Sequence, residues 1–320
     1  MEHTVSRTEK LDALFGTPVF AVLIAIFCNA LWGSAFPFIK MGYRLFSIET
    51  ADTASILCFA GVRFMLGSLL VLVGSLILEG RLPALPQGKV LAECCALGLW
   101  QTTAQYAFYY SAVALLTGAF GGILNSTQSF LGVIFAHFLY GNADRMTPAK
   151  ALGCVLGFAG VALVNLSGAD GTFGFTLDGE GFILASTVAG ALSTCLIGIF
   201  SRKHDGVLLA GWQFLVGGLV LTAIGFLMGG ALSPTAIAPA IALIIYMALI
   251  SAVAYSLWSR LLAVNPVSRV SVFGFMNPVF GVLLSALLLG EGASTSPVTV
   301  IVALLLVCGG IIIVNRPKKA

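Results

Sequence analysis

The sequence predicts an all-α polytopic membrane protein, with ten transmembrane helices arranged as two inverted five-helix repeats. Three observations carry that expectation: hydropathy, the placement of positive charge, and an internal repeat. Of 320 residues, 59% are hydrophobic and 9% are charged, and the mean hydropathy is +1.03. Soluble domains carry about 25% charged residues, so a soluble fold is excluded. Apolar runs of about 20 residues, enough to cross a bilayer, recur at 18–42, 54–78, 90–113, 117–140, 148–166, 180–201, 206–229, 237–258, 268–290 and 297–315. Backbone polar groups must pair internally in lipid, so each run is expected to be a helix. Glycine, 37 of the 320 residues, suits close packing between such helices.

Positive charge orients the runs. With the N-terminus in the cytoplasm, 13 of the 16 Lys and Arg residues fall inside: Arg7, Lys10, Arg81, Lys89, Arg145, Lys150, Arg202, Lys203, Arg260, Arg269, Arg316, Lys318 and Lys319. Lys40 and Arg44 fall outside, and Arg63 lies within the second run. The outer segment 167–180, SGADGTFGFTLDGE, carries three acids and no base. The chain then divides into a cytoplasmic arm (1–17), a first repeat (18–166), an external linker (167–179), a second repeat (180–315) and a cytoplasmic tail (316–320). The first run follows a polar arm and is too long for a signal-peptide core, so no cleavable signal is expected. A net charge of +3 gives no case for nucleic acid. All seven cysteines sit in apolar runs without metal spacing, and are expected to be small buried hydrophobes.

Shifting the chain by 149 positions lays 106–166 over 255–315. LNSTQSFLGVIFAHFLYGN (124–142) then covers FGFMNPVFGVLLSALLLGE (273–291) without a gap, and Tyr106/Tyr255, Gly132/Gly281, Gly141/Gly290, Pro148/Pro297 and Gly160/Gly309 coincide. Each repeat has an odd number of spans, so the second enters the membrane inverted. That plan is common among secondary transporters, whose substrate site lies near the midplane between repeats.

Polar side chains at membrane depth mark the candidate site, because they are costly unless they face a cavity or a partner. Asn29 and Trp32 lie midway along the first run. Gln105, Tyr106 and Tyr109 lie in the third, with Gln101 one helical turn before Gln105 on a shared face. Asn125 and Gln128 mark the fourth, Tyr255 and Trp258 the eighth, and Asn277 the ninth. These are expected to bind substrate in a central cavity between the first, third, fourth, sixth, eighth and ninth runs. The competing expectation is that they hydrogen-bond helices together. Arg63 lies about 10–13 Å along its helix from the outer end. It is expected either to pair with a substrate carboxylate or phosphate, or to play a structural part, by snorkelling or by bonding helix-end carbonyls. Pro278 removes a backbone hydrogen bond and frees the carbonyl near Gly274, so Gly274, Pro278 and Gly281 form a candidate hinge. Glu93 and His137 fall near inner helix ends and are expected to be interfacial. No catalytic constellation, metal-ligand spacing or phosphate-binding glycine loop occurs, so neither enzyme activity, a metal nor a cofactor is expected.

The residues Ala30-Leu31-Trp32-Gly33-Ser34-Ala35-Phe36, the pair Arg63-Phe64, and the endings Leu139-Tyr140-Gly141 and Leu288-Leu289-Gly290-Glu291 give the chain a family likeness. Over 18–315 it resembles the drug/metabolite transporter superfamily, in its EamA-like ten-helix branch. The resemblance implies export or exchange of small metabolites, often amino acids, across the cytoplasmic membrane. The second half keeps that family's proline and acid as Pro278 and Glu291, whereas the first half has Ser129 and Asn142 in their places. Two alternatives stand beside this expectation: a carrier of phosphorylated or nucleotide-linked sugars, and a non-transporting receptor or scaffold. The expected partners are a small-molecule substrate and the lipid bilayer, not nucleic acid, and a homodimer is left open. A reporter fused to the C-terminus should read out in the cytoplasm; an external signal would reverse the topology.

Overall fold

The structure is a computed structural model that describes residues 7–80, 82–116, 118–166, 176–289 and 296–316. Among these residues there are helices and no strands. The α-helices are α1 (Arg7–Gly16), α2 (Pro18–Leu45), α3 (Thr53–Glu79), α4 (Gly88–Leu97), α5 (Tyr106–Leu115), α6 (Gly118–Tyr140), α7 (Pro148–Leu166), α8 (Phe182–Phe200), α9 (Gly206–Leu227), α10 (Ile237–Val264), α11 (Val267–Ser271), α12 (Met276–Leu289) and α13 (Pro297–Asn315). Seven helical stretches among the described residues are long and apolar enough to cross a membrane. The expected endings at Glu291 and most of the acidic segment 167–180 lie outside the described residues.

Helix ends follow ordinary capping chemistry. Asp52 caps α3 by accepting from the Ser55 amide at 3.0 Å, which holds its carboxyl below the usual aspartate value. Gly80 closes α3 with φ +71°, a conformation that favours glycine. Asp205 caps α9 through the Val207 amide at 2.6 Å. Pro18 and Pro297 open their helices where a missing N–H costs nothing.

Among the described residues four irregular segments separate the α-helices, one of them a 3-10 turn, Gly141–Asp144, between α6 and α7. A π-helix, Gly98–Gln105, joins α4 to α5, and a shorter π-turn, Leu177–Gly181, leads into α8. A 3-10 turn, Val272–Phe275, separates α11 from α12. Pro278 accounts for the Val272–Phe275 turn, because its ring would clash with the Gly274 carbonyl of a continuous helix. The break therefore lies before the proline, which itself sits in the first turn of α12.

Small residues set the closest crossings. α3 lies along α9 and α7 along α13. A Cβ on Gly61 would fall 2.8 Å from the Gly218 carbonyl oxygen, and one on Gly153 would fall 2.6 Å from that of Gly310. Around these pairs, α2 packs on α10 and α12, while α6 packs on α8. The described part of the N-terminal arm is the helix α1, and it is anchored: Phe15 is buried, stacks edge-on against Phe20, and its carbonyl accepts from Asn265.

The cysteines need one correction. All seven are free, and five are buried, but Cys95 is half-buried and Cys308 is exposed on α13. Lipid is as apolar as a core, so hydropathy alone does not tell an inward face from a lipid-facing one. Gly153→Val should lower stability by about 1–3 kcal/mol through overpacking, measured as a drop in the unfolding midpoint in detergent. Gly309→Ala, beside open space on the same helix as Gly310, should leave the midpoint unchanged.

Candidate functional site

A cavity of about 80 Å³ lies at the centre of the bundle. α2 lends it Asn29, Trp32, Ala35 and Ile39, whose spacing of three and four residues forms one stripe. Arg63 enters from α3, Gln101 and Gln105 from the π-helix, and Tyr106 and Tyr109 from α5. α6 supplies Asn125, Gln128 and Ser129, and α8 supplies Gly190, Thr194 and Ile197. Tyr255 and Trp258 of α10, Ser271 of α11, Gly274 of the 3-10 turn and Asn277 of α12 complete the wall.

Every residue expected to bind substrate therefore lies on one surface, with Gly274 of the candidate hinge. α3 joins the six expected runs only through Arg63. Gln101 and Gln105 do share the cavity face, but within a π-helix rather than an α-turn. π-segments often mark functional positions, and nothing in the local sequence announces this one. Thr194 and Ser271 were missed. The Thr194 hydroxyl bonds its own helix at Gly190, 2.9 Å away, as most hydroxyls in apolar helices do, so its type carried no signal.

Among the described residues, Arg63 is the largest of the fully buried side chains, at 1% exposure. Its Nε donates to the Met247 carbonyl at 3.1 Å, one terminal nitrogen donates to the Ser251 hydroxyl at 3.0 Å, and the other donates to the Tyr110 hydroxyl. The guanidinium also lies 4.9 Å from the Phe64 ring centre. It thus ties α3 to α5 and α10 through neutral acceptors. Met247 is in the middle of α10, so the expected helix-end carbonyl is not its partner.

Tyr106 and Tyr255 meet hydroxyl to hydroxyl at 2.5 Å, and stand 149 positions apart. Gln105 Nε2 donates to Gln128 Oε1 at 3.5 Å, and Gly190 leaves the room for that pair: its Cβ would fall 2.7 Å from Gln105 Nε2. Gly33 plays the same part on α2, where a Cβ would fall 2.8 Å from the Asn277 carbonyl oxygen. Trp32 packs against Trp258 and Tyr255 with ring centres 4.9 and 5.1 Å apart. Four buried polar atoms of wall residues have no partner: Asn29 Oδ1, Trp32 Nε1, Gln101 Oε1 and Ser271 Oγ. Leaving such a group unpaired costs about 1–3 kcal/mol. The wall therefore offers two carbonyl acceptors, one indole donor and one hydroxyl to whatever enters.

Away from the cavity, Glu93 is buried rather than interfacial, and lies 2.8 Å from His204 Nε2. The loop after α9's predecessor explains this, since His204 folds back beside α4. His137 Nδ1 accepts from the Met146 amide at 3.4 Å. Asp144 pairs with Lys150 at 2.6 Å and accepts from both the Ser268 amide, at 2.7 Å, and the Ser268 hydroxyl. Asn142 is exposed. Among the described residues no group of His, Cys, Asp and Glu could hold a metal.

An all-helical membrane protein with a polar, aromatic-walled cavity at its centre is the class that this architecture defines. The sequence model of the EamA-like transporter family matches residues 19–166 and 177–316, and the chain belongs to that family. The chain is 25% identical over 302 residues to the uncharacterized transporter YvbV of Bacillus subtilis, covering 93% of this chain and 92% of that one. It is 26% identical over 264 residues to an uncharacterized transporter of Archaeoglobus fulgidus, covering 82% and 86%. A chloroplastic WAT1-related protein of Arabidopsis thaliana is 26% identical over 235 residues; the match takes in 71% of this chain but only 55% of the plant protein. A solved crystal structure shares the fold with a TM-score of 0.70 at 21% identity, over 92% of this chain and 98% of that one.

Tyr106→Phe and Tyr255→Phe should each cost about 1 kcal/mol of stability. The double variant should cost less than the sum, because both remove the same bond. Unfolding midpoints of the four proteins measure this, and strict additivity would separate the two hydroxyls.

Proposed function

We propose that this protein is a secondary transporter that exports or exchanges small polar metabolites, such as amino acids. On this reading it works by alternating access around the central cavity, as ten spans in two inverted five-helix repeats. Both termini face the cytoplasm, and the protein sits in the cytoplasmic membrane. The observation that carries the proposal is the cavity wall, to which elements from both halves of the chain bring polar and aromatic side chains. A membrane receptor or scaffold has no need of unpaired polar atoms around a central void.

Two further observations support the inverted arrangement. Tyr106 and Tyr255, which coincide at the repeat offset, touch each other, as residues on a pseudo-twofold axis do. The family match also falls in two segments, 19–166 and 177–316, that coincide with the two halves. A cavity of about 80 Å³ is smaller than ligand pockets of roughly 300–1,000 Å³. The repeats must therefore rock apart to admit solute, and Gly274, Pro278 and Gly281 beside the 3-10 turn are the proposed hinge. A carrier of nucleotide-linked sugars would need more cationic side chains than the single Arg63 in this wall.

Purified protein in liposomes, preloaded for counterflow and screened across amino acids and nucleotide-linked sugars, tests the proposal. Saturable amino-acid exchange is expected. Gly190→Val should cut it by about tenfold or more, since the new side chain displaces the Gln105–Gln128 pair. No flux of any solute through a folded sample would overturn the transport reading.

A further inference from the structure

The cavity wall has one charged side chain and no counter-charge. Arg63 is the only Arg or Lys among its residues, and the wall has no Asp, Glu or His. Among the described residues no carboxylate reaches Arg63; its three hydrogen bonds all go to neutral oxygens. A guanidinium has five N–H donors, so these bonds leave two for a ligand. A cation buried in a membrane protein without an opposite charge is costly, and an entering anion relieves that cost. An entering cation adds to it.

The neutral groups sharpen the selection. Tyr110, Ser251 and the Met247 carbonyl hold the guanidinium in place against the cavity wall, without the flexibility of a lysine. Trp32, Tyr255 and Trp258 form an aromatic wall elsewhere in the same cavity. A planar monoanion of modest size satisfies one guanidinium edge. A doubly charged phosphate would leave excess negative charge with no second cation to meet it.

We propose that the cavity selects small solutes bearing one carboxylate, with Arg63 as the charge partner, and rejects organic cations. This rests on the cavity being the substrate site, as argued above. It goes beyond that reading by assigning the sign of the charge that the site recognises. Zwitterions enter by their carboxylate, with an ammonium group facing the Asn29 or Gln101 carbonyl oxygens, which have no other partner.

The test compares solutes matched in side chain that differ in their charged groups. L-Leucine, L-leucinamide and 4-methylpentanoate share one side chain and are respectively zwitterion, cation and anion. L-Alanine, L-alaninamide and propionate form a second series. Stabilisation of the purified wild-type protein in detergent, titrated with each, reads binding without requiring transport. The carboxylates should bind about 10- to 100-fold more tightly than the amides, as expected for a charge-assisted hydrogen bond. In Arg63→Gln, that preference should fall to about unity while weak binding of the amides persists. A merely structural Arg63 would instead lower all affinities together and leave the ratio unchanged. Should Arg63→Gln not fold, the wild-type series still decides. Equal binding of amides and carboxylates, or no binding by any carboxylate in either series, would overturn the proposal. Carboxylate binding without liposome flux would sink the transport reading and leave this one standing. Flux of amides equal to that of carboxylates would do the reverse.

Discussion

Hydrocarbon offers a polar group no partner, and this protein is organised around that shortage. The backbone meets it by forming helices throughout the described residues. Side chains meet it by turning inward, where the bundle can supply acceptors. Arg63 is the extreme case. Its guanidinium draws on three separate helical positions, and in doing so fixes α3 against α5 and α10. Tyr110, one of the groups that satisfy the cation, packs edge-on against Tyr106, whose hydroxyl in turn meets that of Tyr255. Remove the constraint, and neither the central void nor its polar lining has a reason to exist.

Glycine determines how near the lining elements approach. Helices in lipid gain nothing from apolar burial against one another and depend on contact and backbone approach instead. Gly33 and Gly190 put α2 and α8 close to the neighbours that carry Asn277 and Gln128. Gly153 and Gly310 do the same at the periphery, where α7 and α13 cross. The outer crossings frame the bundle, while the inner ones leave room for side chains that face the void. Bulk at either place is felt in a different quantity, stability at the rim and access at the centre.

Much of this was legible in the sequence, for a physical reason. A polar side chain in an apolar run is rare because it is expensive, so Asn29, Arg63, Gln105, Asn125, Gln128 and Asn277 stood out individually, and all line the cavity. Features without an energetic signature did not stand out. The π-helix at Gly98–Gln105 has no composition of its own. Thr194 hides because its hydroxyl satisfies itself locally. Glu93 was placed at an interface because its partner, His204, is more than a hundred positions away and only the fold brings them together. Cys308 was assigned to a core because lipid and core select the same residue. Charge pairing across the fold and the choice between lipid and core are both tertiary facts, and a local pattern records neither.

The two halves solve the same geometric problem with different chemistry. At the positions related by 149, Gln128 corresponds to Asn277, and Ser129 stands where the other half has Pro278. The proline breaks its helix into a 3-10 turn that puts Gly274 in the cavity wall. The serine leaves α6 continuous, so the first half keeps a rigid helix and spends its irregularity one span earlier, in the π-helix bearing Gln101 and Gln105. Among the described residues, each half thus brings one irregular segment to the cavity wall, in non-equivalent elements. Under the inverted-repeat reading, a transporter that swaps the conformations of its halves would not pass through mirror-image states. The half with the 3-10 turn can bend at the wall, while the half with the π-helix can rotate side chains on it. On the proposed reading, that asymmetry would assign the choice of solute to Arg63 and the glutamines of the first half, and the motion to the glycines and proline of the second.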